Sequence, residues 1–213
     1  MPKRLLLIPT SLERKRLLKR LDPNVLAGWE IRLCGFGVIA AATQTTHWIA
    51  QLQPGEVVLA GIAGSLHPDT SVGSAIWISE TICEGIGVGS QDGTCISAGE
   101  LGWNQVEPEE GSPAQAAIND RISLPSPAGI NQKLLTVCAA SGSPAVANAR
   151  RQKHGPDVVA EDMEGFAVAM ACRVAGVPLR IVRGISNVAG DRDSANWQID
   201  NALDAVAKSL ATL

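Results

Sequence analysis

The sequence predicts an α/β fold: one three-layer α/β/α domain over residues 1–213, with helices on both faces of a mostly parallel sheet. Three observations carry this. The chain has 213 residues, 46% hydrophobic and 18% charged, which suits one globular domain with a sizeable core and not a disordered chain. Tyrosine is absent and only two phenylalanines occur. The core must therefore be built from Ala, Val, Ile and Leu, as in a parallel sheet buried on both sides. Finally, two β–loop–α units follow one another near the N-terminus, the pattern of a parallel sheet with crossover helices.

The first strand is residues 5–8, Leu-Leu-Leu-Ile, stopped by Pro9. Thr10 or Ser11 can cap a helix running to about Leu21. A short strand is expected at 30–33, a turn at Gly35-Phe36-Gly37 and an Ala-rich helix at 38–52, stopped by Pro54-Gly55. Residues 56–60 form an apolar strand that runs into a second glycine turn, Gly61-Ile62-Ala63-Gly64. Alternation predicts one strand at 75–81. From 84 to 132 the chain is rich in Gly, Pro, Ser and acids, and it reads as a variable insertion or long functional loop, with a helix around 114–119. Order returns with a strand at 133–139, a helix at 146–153 and a short strand at 158–159. A helix at 163–175, ended by Gly176 and Pro178, precedes a last strand at 179–185 and a final helix at 197–210.

The formal net charge is −3. The densest basic stretch, Arg14-Lys15-Arg16 with Lys19 and Arg20, reads as a solvated helix face, so no nucleic-acid partner is expected. The five cysteines are odd in number, widely spaced and mostly set among apolar residues. They read as reduced, buried small hydrophobes of a cytoplasmic protein. The four-residue apolar run near the N-terminus is too short for a signal peptide or membrane span, so no membrane partner is expected. His47, His67 and His154 lack metal-ligand spacing, and neither a metal nor another cofactor is expected.

Chemistry concentrates in four places. The two glycine turns follow strands, where backbone amides can approach a ligand, although tight turns without ligands use the same residues. Glu161-Asp162-Met163-Glu164-Gly165 sets three acids at a strand-to-helix junction. Helix-dipole decoration accounts for Glu161 or Asp162. It accounts less well for Glu164, which leads into the apolar run Gly165-Phe166-Ala167-Val168 and needs a partner when buried. Arg183-Gly184-Ile185-Ser186-Asn187 closes the last strand, either as a ligand-facing end or as a capped loop.

Taken together with Glu13, the run Gly35-Phe36-Gly37-Val38-Ile39-Ala40-Ala41-Ala42 and the Met163-Glu164 pair, these segments resemble the nucleoside phosphorylase and nucleosidase superfamily. The resemblance lies at the methylthioadenosine/adenosylhomocysteine nucleosidase end and covers most of the chain outside about 84–132. Within it the chain is most similar to the futalosine hydrolase family. Arg183-Gly184-Ile185-Ser186-Asn187 followed by Gly190-Asp191-Arg192-Asp193 and Trp197 carries that similarity, supported by Pro9-Thr10 and by Glu100-Leu101-Gly102.

The resemblance implies a phosphorylase/hydrolase-like fold with a central mixed, mostly parallel sheet. It implies that Glu13 holds the attacking water, that Glu164 binds the ribose hydroxyls with Met163 packed on ribose and base, and that Asn187 meets the purine. Thr10, Phe36, Ile62, Ala63, Gly64 and Ser186 complete the expected substrate site. The methylthioadenosine enzymes carry Asp at the place of Asn187. An amide donates to O6 of a 6-oxopurine and accepts from a protonated N7 together, so Asn187 favours hypoxanthine over adenine. Phosphorolysis would need arginines and hydroxyls near the early glycines, where Phe36 and Ile62 stand and Glu13 would repel phosphate. The expected activity is hydrolysis of futalosine to hypoxanthine and dehypoxanthine futalosine. The alternatives are a methylthioadenosine/adenosylhomocysteine nucleosidase and a non-catalytic purine-nucleoside-binding protein. The partner is a small nucleoside, and the resemblance suggests a homodimer or larger homo-oligomer.

Overall fold

A computed structural model describes residues 3–89, 91, 95–108, 117–126 and 129–213. Its elements run β1 (Arg4–Ile8), α1 (Ser11–Leu18), β2 (Trp29–Leu33), α2 (Val38–Leu52), β3 (Glu56–Ser65), β4 (Ala75–Trp77), β5 (Glu80–Cys83), β6 (Gly87–Gly89), β7 (Cys95–Ser97) and β8 (Arg121–Ser123). They continue with β9 (Lys133–Thr136), α3 (Pro144–His154), β10 (Val158–Asp162), α4 (Gly165–Val174), β11 (Leu179–Val188) and α5 (Ile199–Leu210).

Side-chain alternation along the central strands sets the three layers. Leu5 and Leu7 of β1, Val57 and Leu59 of β3 and Ile181 of β11 pack with Ala41 and Ile49 of α2 and the apolar start of α4. Their neighbours Leu6, Ile8, Val58, Ala60 and Val182 point the other way, onto Leu17 of α1 and Leu203, Val206 and Leu210 of α5. A smaller cluster seats Ala147 of α3 against Leu135 and Val158. On the basic face expected to be solvated, Arg16 and Arg20 form surface ion pairs with Asp200 and Asp204 that tie α1 to α5.

One sheet contains nine strands among the described residues, in the order β2-β1-β3-β10-β9-β5-β8, with β11 and β4 on the other side of β3. Pairing is parallel except at β10–β3, β11–β4 and β5–β8. Strand β11 follows β3 from Val57 to Ser65. The opposite edge of β3 is divided: β1 takes Glu56–Leu59 and β10 takes Gly64 and Ser65. Residues 60–63 are left without a strand partner on that edge, at the carboxyl end of β1, and this gap positions the site.

Several expected boundaries move. Gly61–Gly64 is not a turn: β3 continues through it, because β11 supplies a ladder partner at every step. Strand β11 likewise runs on past residue 185, through a register shift between Ile185 and Asn187 that re-aims Asn187. The strand expected at 75–81 is two, since Ile78 and Ser79 carry the chain from β11 to the β9 side of the sheet. Helix α1 ends at Leu18 and not near Leu21, while β10 extends to Asp162. Of the helix expected at 114–119, residues 114–116 lie outside the described residues. Residues 117–119 are not helical, and Ile118 bridges Val106. All five cysteines are free; Cys34, Cys83 and Cys172 are buried, but Cys138 is exposed. Among the described residues no helix is long and apolar enough to cross a membrane.

Candidate active site

The gap on β3 opens into a cleft of about 290 Å³. It is lined by all ten residues expected at the site: Thr10, Glu13, Phe36, Ile62, Ala63, Gly64, Met163, Glu164, Ser186 and Asn187. They come from five separate segments, and the sheet topology brings them together.

Glu13 is the third residue of α1, and Thr10 is the N-cap. The two form a reciprocal capping box: Glu13 N donates to Thr10 Oγ1 (3.2 Å), and Glu13 Oε2 accepts from Thr10 N (3.1 Å) and Oγ1 (2.5 Å). The other oxygen, Oε1, accepts from Ile62 N at 3.0 Å. Glu13 therefore answers an amide that the divided edge of β3 would leave unpaired, and its carboxylate is fixed at both oxygens.

Glu164 stands at the N-cap of α4, one residue before the helix proper. Its Oε1 accepts from Gly37 N at 3.1 Å, and its Oε2 accepts from Arg183 Nη2 at 3.3 Å. Burial pushes its carboxyl up to about 7; Arg183 and the Gly37 amide pull against this, and the nearby charges of Asp162 and Glu13 add to it.

Arg183 is fully buried. Its Nη2 donates to Asp162 Oδ2 as well as to Glu164. Burial alone would ease its proton off, but Asp162, Glu164 and Glu13 together hold the guanidinium more firmly charged than usual. Its Nε and Nη1 are buried and, among the described residues, have no hydrogen-bond partner. Asp162 also accepts from Thr136 Oγ1 (2.7 Å) and from Gly165 N (2.8 Å), so it caps α4 and anchors Arg183 at once. Gly61 is the floor beneath these charges. A Cβ there would stand 2.8 Å from Glu13 Oε1 and closer still to Arg183 Nη1. Burial also lifts the neighbouring Cys34 thiol to about 12, which keeps it a neutral packing group.

At the other end, Asn187 Nδ2 donates to the Val188 carbonyl at 2.9 Å, which fixes the orientation of the amide. Its Oδ1 accepts from Ser186 Oγ at 2.8 Å. One N–H and one lone pair of the amide are left over. Ala140 forms part of the wall. Glu161 fixes that wall by accepting from Ser141 N (2.8 Å), Ser141 Oγ (2.7 Å) and Arg150 Nη1 (3.0 Å).

A family model described as the phosphorylase superfamily matches residues 31–213. The chain belongs to that superfamily. Among curated superfamily members, the futalosine hydrolase of Streptomyces coelicolor is 31% identical over 87% of this chain and 78% of its own. The futalosine hydrolase of Thermus thermophilus is 28% identical over 98% and 94%. A 5′-methylthioadenosine/S-adenosylhomocysteine nucleosidase of Haemophilus ducreyi is 29% identical over 73% and 65%. Among solved structures, the corresponding nucleosidase of Neisseria meningitidis in complex with methylthio-immucillin-A superposes with a TM-score of 0.74 at 20% identity, covering 99% of this chain and 97% of that one. The futalosine hydrolase of Helicobacter pylori superposes at 0.72 and 15%, with the same coverage. Identities this low speak for the superfamily fold alone.

Sequence reasoning undervalued three groups. Asp162 reads as dipole decoration but is the buried partner of Arg183. Arg183 reads only as the first residue of the segment that closes the last strand, but it lies fully buried beneath the site. Glu161 lines the cleft, yet its partner Arg150 lies on α3, within a stretch that looks like an ordinary basic helix. A signal was present for the first two: an acid just before a buried helix and an arginine deep in a mostly apolar strand each require a partner, and they are each other's.

Proposed function

We propose that this chain is a purine nucleosidase that hydrolyses the N-glycosidic bond of futalosine. The products are hypoxanthine and dehypoxanthine futalosine, within menaquinone biosynthesis. The observation that carries the 6-oxopurine assignment is the tethered Asn187 amide. With Nδ2 fixed on Val188 O and Oδ1 on Ser186 Oγ, it offers one donor and one acceptor, the complement of O6 and a protonated N7. Adenine would present a donor to that donor. The similarity to two futalosine hydrolases supports the same reading.

The reaction follows from the geometry. As the glycosidic bond breaks, positive charge develops on the ribose and negative charge on the purine. Glu164 accepts from the ribose hydroxyls and balances the sugar cation. Asn187 stabilises the departing base as a proton from solvent reaches N7, an electrostatic role, since an amide cannot supply the proton itself. Glu13, fixed at both oxygens, orients the attacking water and takes its proton as the oxygen bonds to C1′. Thr10, Phe36, Met163, Ile62, Ala63 and Gly64 shape the walls.

We further propose one nucleosidase domain with 84–132 as its variable part, acting in the cytoplasm as a homodimer or larger assembly. Phe36, which lines the cleft, and Ile39, three residues further along the chain, are 66% and 81% exposed, apolar surface that a second copy would cover. Solution mass by light scattering tests this point.

The decisive assay supplies futalosine, methylthioadenosine and adenosylhomocysteine and measures the free base released. Hypoxanthine from the first, with little adenine from the others, is the expected result. Faster adenine release overturns the assignment. Asn187→Asp should lower kcat on futalosine by roughly 100-fold, the usual cost of losing one donor to a developing anion; unchanged kinetics would remove Asn187 from the site.

A further inference from the structure

Behind one wall of the cleft lies a cluster of charged side chains that the reaction does not use. Residues 137–143 join β9 to α3, and Ala140 among them lines the cleft. At one end of this stretch Val137 N donates to Asp162 O at 2.9 Å. At the other, Gly190, with φ +88°, packs so closely on Ser143 that any Cβ would overlap its backbone. Gly190 follows Asn187 closely in the chain, so this wall stands at the Asn187 end of the cleft.

Arg150 of α3 holds the middle of the wall from behind. It does not itself line the cleft. Its Nη2 donates to Ala139 O at 3.1 Å, and its Nη1 donates to Ser141 Oγ at 2.9 Å and to Glu161 Oε2 at 3.0 Å. On the far side its Nε donates to Glu84 Oε1 at 2.7 Å. Ala140 is thus the residue between two that are tied down. The other oxygen of Glu84, Oε2, lies 2.8 Å from His154 Nε2. Burial alone would raise the Glu84 carboxyl, but the hydrogen bonds of His154 and Arg150 and the Arg150 charge hold it below its ordinary value. An ionised carboxylate only accepts, so His154 carries a proton on Nε2. Arg150 and His154 stand one turn apart on α3 and grip both oxygens of Glu84. None of these side chains is more than 17% exposed, so water does not replace the partners.

From this arrangement we infer that Arg150 is a positioning residue: braced by Glu84 and His154 on its outer side, it holds the wall at Ala139 and Ser141 and so sets affinity for the base without touching it. A guanidinium is a planar fork with fixed donor directions. Fixing Nε on Glu84 therefore fixes where Nη1 and Nη2 can hold Ser141 Oγ and Ala139 O. This role rests on the nucleosidase reading and adds to it a chain of contacts from Glu84, just past β5, to the base end of the cleft.

The test measures kcat and KM on futalosine with the full-length protein. It also measures calorimetric Kd for free hypoxanthine and for a cationic pyrrolidine analogue of ribose that carries no base. Arg150→Lys keeps a charge between Glu84 and Glu161 but loses the fork. KM and the hypoxanthine Kd should each rise about 10-fold, with kcat and the sugar-analogue Kd within about 2-fold of wild type. Glu84→Gln should act in the same direction by about 3-fold. The two together should do no more than Arg150→Lys alone, because Glu84 acts through Arg150. A fall in kcat and in binding stoichiometry with KM and Kd unchanged means only that folded protein is lost, and it overturns the positioning role. Equal weakening of hypoxanthine and the sugar analogue overturns it too, as does a multiplicative loss in the double variant. If wild type releases no base from any nucleoside, the nucleosidase reading fails, and the dependence of hypoxanthine affinity on Arg150 still decides the positioning role.

Discussion

Gly35-Phe36-Gly37 and Gly61-Ile62-Ala63-Gly64 look alike in the sequence, two small glycine-rich stretches after strands, and they need glycine for different reasons. Gly37 has φ +83° and ψ 161°, a backbone region essentially closed to other residues, and a Cβ there would meet nothing within 4 Å. Gly61 is ordinary strand, but a Cβ would press on Glu13 and Arg183. One glycine serves its own backbone, aiming an amide at Glu164; the other gives room to two buried charges. A glycine in a motif is thus either a conformational or a steric requirement, and substitution separates the two.

Gly61→Ala should have the largest effect. The methyl must displace Glu13 or Arg183, and kcat/KM for base release should fall by roughly 100-fold or more, with a lowered Tm. Activity near wild type would show that the two charges are not confined as described. Gly37→Ala comes next. Its cost is backbone strain of about 1–3 kcal/mol and a loosened bond to Glu164, seen as a lowered Tm and a raised KM with a smaller change in kcat.

The third prediction concerns pH. The Glu164 carboxyl is raised from 4.5 to about 7 by burial, so the folded chain holds this proton more tightly than the unfolded chain. Its contribution to stability is full below about 4.5 and is lost as pH rises through about 7. Denaturant unfolding of the ligand-free protein should show that decline, and Glu164→Gln should flatten it. In Gly37→Ala the midpoint should move higher, because the Gly37 amide favours the charged form. Gly64→Ala should do least: its neighbours at Ala189 stand at 3.4 Å, an ordinary contact, and stability should change by less than about 0.5 kcal/mol.

Much of the layered architecture was legible because β1 and β3 are apolar on both faces and α2 is bounded by Gly37 and Pro54-Gly55. The continuation of β3 and β11 through glycine, serine and asparagine was not. It depends on each strand finding the other, a pairing about 120 residues apart in the chain that no local pattern reports. The candidate site divides similarly. Glu13, Glu164 and Asn187 are legible through the motifs that carry the family resemblance. Asp162 and Arg183 were undervalued because their meaning is mutual: each is an unremarkable polar residue until the sheet sets it against the other.

The divided edge of β3 has a consequence for how the chain behaves among other chains. Unpaired strand edges invite pairing with foreign strands and seed aggregation. Here the unpaired stretch, residues 60–63, is short and flanked by β1 and β10. The Glu13 carboxylate occupies the Ile62 amide, and no second strand can dock on four residues closed at both ends. The protein thereby keeps free backbone available to a small molecule while denying it to a polypeptide.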